Sequence, residues 1–268
     1  MANYNKKRAR ELQHDRFRDT TMGLLDRLGS ALEGRGKTIL YALGGVLLLG
    51  LIVVFAIRWN NRKNDEARQA LGRAIEISSA TVSTGPALNP TAPTFGTEQD
   101  RATRAIQEFE KVSAKYSDPY RAEAQYFIAT NRLSVDRAKG ITELTELSKT
   151  GIPEIVALAK FALAQTKESD GKLDEAAQIY ADIVKLNQLT VTPESANLRL
   201  AKVYEKQGKK KEAADILFNL VDASRKAKGK DDKPLPGSSA AREAASELQK
   251  LDPARYAQLP PEPSILES

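Results

Sequence analysis

The sequence predicts an all-α protein: one N-terminal membrane-crossing helix, then a solenoid of about four stacked helix pairs and a C-terminal capping helix. Three observations predict it. Thr38 to Ile57 reads TILYALGGVLLLGLIVVFAI without a charge. A pattern of small and large apolar residues recurs every 35 to 37 positions behind that run. Ala, Leu, Glu, Lys, Arg and Gln dominate while aromatics make up only 6%, a helix-favouring balance.

At about 1.5 Å of rise per residue the charge-free run covers roughly 30 Å, the depth of a bilayer's hydrocarbon. Only a helix can cross there, because each unpaired backbone amide in lipid costs several kcal/mol. Tyr41 and Trp59 sit near the two ends, where amphipathic rings favour the headgroup level, and Lys37 and Arg58 bracket the run. The expected span is 38–58. It contains Gly44, Gly45 and Gly50 but no Gly-x-x-x-Gly, so little favours pairing of two spans.

Residues 1–37 form a basic polar tail with nine Lys/Arg against five Asp/Glu. The residues from 58 onward carry 32 against 30. Leu24, Leu25, Leu28 and Leu32 fall at helical spacing and suit either a short surface helix or a loose one without a partner. The polar lead-in is long and no small-x-small site follows Ile57, so the span reads as a retained anchor rather than a cleaved signal. Its direction is less decided by charge. Arg58, Arg62, Lys63, Arg68 and Arg73 follow the span closely, whereas long domains are translocated largely regardless of charge.

Several chemistries find no support. The chain has no Cys, which removes disulfides, thiolate nucleophiles and Cys-bound metal. The one His, His14, lies in the polar tail without metal-ligand spacing. Ala31 to Thr38, ALEGRGKT, fits a relaxed phosphate-loop pattern, yet no strand precedes it and the next helix is the span. Asp174–Glu175 and Glu108–Glu110 read as solvated helix faces. The nearly balanced body lacks the concentrated basic face of a nucleic-acid groove. We therefore expect no enzyme, no cofactor and no metal.

The repeat is clearest at Ala157–Leu186. Leu163 and Ala164 belong to a first helix, Gly171 turns the chain, and Ala176, Tyr180 and Ile183 belong to a second. Leu200, Ala201, Tyr204, Gly208, Ala213, Leu217 and Leu220 repeat the scheme. In both copies the two small residues stand twelve apart, which lets antiparallel helices approach where Ala meets Ala. Ile128–Ala129 takes the same place one period earlier, with ITELTELSK as a degenerate second helix, and Leu71–Gly72 one period before that. Gly72 and Ala105 are 33 apart instead of twelve, and removing the excess of 21 leaves 36 between Gly72 and Ala129, back in register.

That excess is the proline- and glycine-containing segment 83–99, read as a surface loop inserted in a solenoid spanning 64–224. Residues 225–239 read as a polar, mobile linker, 240–252 as the capping helix, and 253–268 as a disordered proline-rich tail.

These residues resemble the tetratricopeptide repeat (TPR), a helix–turn–helix unit of about 34 residues. Leu163–Ala164 and Leu200–Ala201 with Tyr204 match its first helix; Ala176 with Tyr180 and Ala213 with Leu217 match its second. Lys160 and Asn197 stand where the family has Trp. In such repeats the first helices line a concave groove, and the resemblance puts Tyr126, Phe161 and Leu198 at its equivalent positions, with Thr130, Gln165 and Lys202 one turn on. That stripe either receives a peptide segment or packs against the next repeat or the capping helix.

The layout of basic tail, uncleaved span, split first repeat and further repeats is similar to the ancillary subunit family of the bacterial Sec translocon. The resemblance implies an inner-membrane protein with a cytoplasmic N-terminus and a periplasmic domain. It also implies protein partners, namely the translocon and a membrane-anchored periplasmic chaperone. The alternatives are a cytoplasm-facing scaffold unrelated to export and a subunit of an envelope complex.

Overall fold

The computed structural model describes residues 36–83 and 93–262, with side chains from residue 44 onward. The tail helix at Leu24–Leu32, His14, the phosphate-loop look-alike before Gly36 and the last six residues lie outside the described part. The chain divides into two compact units, one ending at Glu66 and the other starting at Ala67.

The first helix, α1 (Gly36–Ser78), runs through the boundary between the units. In the first unit its apolar side chains are unburied: Val46, Leu47, Leu51 and Phe55 are all more than 65% exposed. By length and composition α1 is able to cross a membrane.

Among its described residues the second unit is helical apart from a small strand pair and the connecting turns and loops. After the end of α1 come β1 (Thr81–Val82) and β2 (Thr94–Phe95). The helices α2 (Glu98–Lys115), α3 (Tyr120–Val135), α4 (Arg137–Leu147), α5 (Pro153–Ser169) and α6 (Leu173–Leu186) follow. Then come α7 (Pro193–Lys206), α8 (Lys210–Lys226), α9 (Ser239–Leu251) and the short α10 (Pro253–Tyr256). Starts are specified locally: Thr97, Asp136, Thr192 and Ser238 each accept a hydrogen bond from the backbone N–H three residues on. Pro153 and Pro193 sit in first turns, where no donor is missed.

Two turns are copies of one another. Gly171 and Gly208 have φ of +72° and +77°, the left-handed region where a Cβ is strained. At the first, Lys172 N–H donates to Lys167 C=O and Gly171 N–H to Glu168 C=O. At the second, Lys209 N–H donates to Tyr204 C=O and Gly208 N–H to Glu205 C=O. These are matching Schellman closures 37 residues apart, so the same hairpin is built twice. Ala164, Ala176, Ala201 and Ala213 are all at most 1% exposed, as close helix approach at those positions requires.

The α3–α4 hairpin is made differently. One residue, Asp136, ends α3 and caps α4, so α4 starts four residues before the ITELTELSK segment that marks it in the sequence. The close-approach position falls on Gly140, where a Cβ would lie 2.8 Å from Leu133 N and 3.0 Å from Ala129 O. Those neighbours are backbone and cannot swing away. Gly140→Ala is therefore expected to destabilise the protein by about 1–3 kcal/mol despite alanine's better helix propensity. Urea unfolding checks this; a neutral or stabilising result would place the α3–α4 contact elsewhere.

Among the described residues the core falls into four local clusters. Leu71 and Ala74 of α1 pack with Ala105, Ile106 and Phe109 of α2 and with Ala124 and Ile128 of α3. Leu144 and Leu147 of α4 pack between α3 and α5. Tyr180 and Ile183 centre the third cluster, between α5 and α7. Leu217, Leu220, Ala244 and Leu248 centre the fourth, where α9 covers α7 and α8.

Three segments depart from the sequence expectations. The ends of the 83–99 insertion are pinched together: β1 pairs in parallel with β2, Thr81 opposite Thr94 and Val82 opposite Phe95, and α2 already begins at Glu98. In 225–239, α8 continues to Lys226, and a hydrogen-bonded turn joins Leu235 N–H to Ala227 C=O and Gly229 N–H to Lys233 C=O. Asp232, at φ +60°, supplies the reversal, and Lys228 pairs with it at 3.0 Å. In the stretch expected as a disordered tail, Asp252 caps α10, and Tyr256 and Leu259 pack on the fourth cluster. Arg225 donates to Pro260 C=O at 2.5 Å and lies over the Tyr256 ring, and Arg255 lies over Phe218. A few aromatic and arginine side chains hold what proline content alone would release.

Candidate partner-binding surface

The residues expected to line a groove fall on the first helices of successive pairs, α3, α5 and α7, with α9 stacked beyond them. Tyr126 on α3 is half-buried, its ring edge-on to Phe127 at 5.4 Å and packed on the α3–α4–α5 cluster. Burial pushes its phenol pKa up. Phe161 on α5 is also half-buried, edge-on to Tyr180 of α6 at 5.7 Å. Leu198 on α7 is 6% exposed and belongs to the fourth cluster, with Ala241 and Ala244 of α9.

The apolar part of the stripe is thus graded, with two partly open rings and one closed leucine. Leu198 leaves the accessible set because the α8–α9 layer continues the stack past it.

The polar positions differ as well. Thr130 turns its hydroxyl back to Phe127 C=O at 3.1 Å. Lys202 forms an ion pair with Glu243 of α9, holding the Glu243 carboxyl below its usual range. Gln165 is exposed. Of the six residues Gln165 is exposed, Leu198 is buried and the other four are half-buried.

Side-chain bridges, which spacing alone does not reveal, join neighbouring helices near the ends of α5 and α7. Lys206 of α7 reaches Glu168 of α5 at 2.5 Å, and Tyr180 Oη of α6 donates to the same carboxylate at 3.2 Å. Gln207 donates to Asp174 across the same helix pairs at 3.0 Å. Arg137 of α4 reaches Asp170 and Ser169 at the end of α5.

Burial, then the Glu168 charge, raises the Tyr180 phenol pKa above its ordinary 10. The folded state therefore resists phenolate formation more than the unfolded chain does. The stability this contributes is fully present below about pH 10 and lost as pH rises further. Tyr180→Phe is expected to flatten the loss of stability between about pH 9 and about pH 12, while costing about 1 kcal/mol below it through the lost hydrogen bond. Urea midpoints across that range test it; an unchanged alkaline slope would refute it.

A recess of about 440 Å³ opens between α2, α3 and α4. Its apolar floor includes Ile128 and Leu147, and Arg132 crosses it between Glu143 at 3.0 Å and Glu110 at 3.4 Å. Its charged span is filled by the protein itself. Among the described residues no group of three or more His, Cys, Asp or Glu is placed to hold a metal ion.

The architecture is that of an all-α solenoid of stacked helix pairs. Comparison with solved structures finds a kinesin light chain from Podosopora anserina with nearly identical TPR-like repeats. It shares 15% identity at a TM-score of 0.47, covering 72% of this chain and 88% of that one. A single-substitution variant of the same protein matches equally, also at 15% and 0.47. No known family's sequence profile matches the chain, and no curated protein matches it.

Proposed function

We propose that this protein is a membrane-anchored scaffold that holds other proteins on the first-helix face of its repeat stack and carries out no chemistry of its own. The observation that carries the reading is the bare apolar length of α1. Its ten large apolar side chains from Val46 to Ile57 are each between 53% and 70% exposed. Left in water at ~2 kcal/mol each they would cost on the order of 20 kcal/mol, more than a domain's net stability, so lipid is the fitting surround. The stack behind the anchor supplies a long lateral surface with partly open rings at Tyr126 and Phe161, suited to an extended or helical segment.

In the finer reading, drawn from the resemblance to the translocon's ancillary subunits, the anchor lies in a bacterial inner membrane with the repeats in the periplasm. The partners are then the Sec channel and a periplasmic chaperone. A photo-crosslinking side chain at Gln165 of the full-length protein in cells should capture the channel or a chaperone, and the Phe161→Ala variant should weaken that capture. Capture of cytosolic proteins alone would sink the export reading. A second reading has its own support: Arg58, Arg62, Lys63, Arg68 and Arg73 behind the span favour keeping that side in the cytoplasm. Protease added to spheroplasts separates the two, since only a periplasmic stack is cut.

A further inference from the structure

The end of the apolar run on α1 carries an arrangement that anchoring alone does not need. Arg58 and Arg62 stand four residues apart, as do Phe55 and Trp59, so each pair is stacked along the helix. The Phe55 and Trp59 rings lie 5.9 Å apart at 35°, and Lys63 Nζ sits 5.5 Å from the centre of the Trp59 ring. Phe55, Arg58, Trp59 and Arg62 together line a recess of about 170 Å³. All of these side chains are exposed.

Charge is also ordered along the axis. After the neutral run come Arg58, Arg62 and Lys63, and only then Asp65 and Glu66. At 1.5 Å per residue the three cations occupy about 7.5 Å of depth, close to the thickness of one interfacial layer of a bilayer. The carboxylates begin beyond it. Guanidinium forks match phosphate oxygens in pairs, and the indole prefers the same depth.

We infer that this recess is a headgroup site for anionic phospholipid. Arg58 and Arg62 would take the phosphate, Lys63 the excess negative charge, and the Phe55–Trp59 pair would flank the glycerol and upper acyl chain. The inference rests on the reading that α1 crosses a membrane. A free phosphate offers the same oxygens without a chain for the two rings, and the site is assigned to the lipid on that ground.

Trp59 is the only tryptophan in the chain, so its fluorescence reports this place alone. The full-length protein in phosphatidylcholine nanodiscs with a minority of phosphatidylglycerol is compared with one lipid or the other brominated high on its acyl chains. Brominated phosphatidylglycerol should quench Trp59 about fivefold more per molecule than brominated phosphatidylcholine, as expected for local enrichment near several cations. The Arg58→Gln/Arg62→Gln/Lys63→Gln variant should be quenched by both equally. Equal quenching in the unaltered protein, or a preference abolished by millimolar inorganic phosphate, overturns the inference while leaving the anchor standing. Quenching by neither lipid overturns the anchor as well.

Discussion

Full-length protein carrying Leu48→Arg and Ile52→Arg together is expected to lose its membrane association, recovered in the soluble or aggregated fraction after carbonate washing. Both positions lie near the middle of the apolar run, one turn apart, and their side chains are 60% and 53% exposed. Each arginine at a span's centre opposes insertion by about 2.5–3.5 kcal/mol, so the pair shifts the equilibrium by roughly four orders of magnitude. The repeat stack has its own core from Leu71 onward and should keep its helical circular dichroism. A variant that still pellets with membranes and resists carbonate would show that the stack, not α1, does the attaching.

The second large effect is expected at Phe109. Its side chain is fully buried and stacks on Phe127 of α3 at 4.9 Å and 10°, at the heart of the cluster where the end of α1 meets α2 and α3. Phe109→Ala should cost about 3–5 kcal/mol, the sum of lost transfer energy and an unfilled cavity. Because repeat stability is largely a sum of neighbouring contributions, the damage should stay near that end. Hydrogen exchange should rise in α2 and α3 while α8 and α9 stay protected. Uniform loss of protection would mean the stack unfolds as one block.

The repeats were legible where two signals coincided. At Ala164/Ala176 and Ala201/Ala213 a twelve-residue pair of small side chains brackets a glycine, and the structure puts a left-handed Schellman turn at both glycines. The α3–α4 pair gave no such coincidence. Its turn is a single aspartate, and its close-approach residue, Gly140, comes eleven after Ala129, so a twelve-residue template passes over it. The tail misled for another reason. Proline content describes what a segment prefers alone, whereas 253–260 is held by Arg225, Phe218 and a cluster far away in sequence.

For the stripe of Tyr126, Phe161 and Leu198, periodicity identifies a face but not what lies over it. Leu198 occupies the same place on its helix as Phe161, yet α9 covers the one and leaves the other half-open. Reading that difference required knowing that the last layer stacks directly onto α7. The lysine beside it was similarly unreadable: Lys202 looks like a free groove cation in the sequence, and its partner Glu243 stands 41 residues on, beyond a turn of unknown path.

The division of the described core into layered local clusters has a mechanical corollary. A structure whose interior is divided among adjacent layers has no keystone; tension applied at one end loads the nearest layer first. Stretched from its C-terminus against a fixed N-terminus, this protein should yield in steps, each releasing one hairpin of about 36 residues, or roughly 120 Å of slack. A tether that lengthens by instalments can keep hold of a moving load where a single globule would stay rigid and then let go at once.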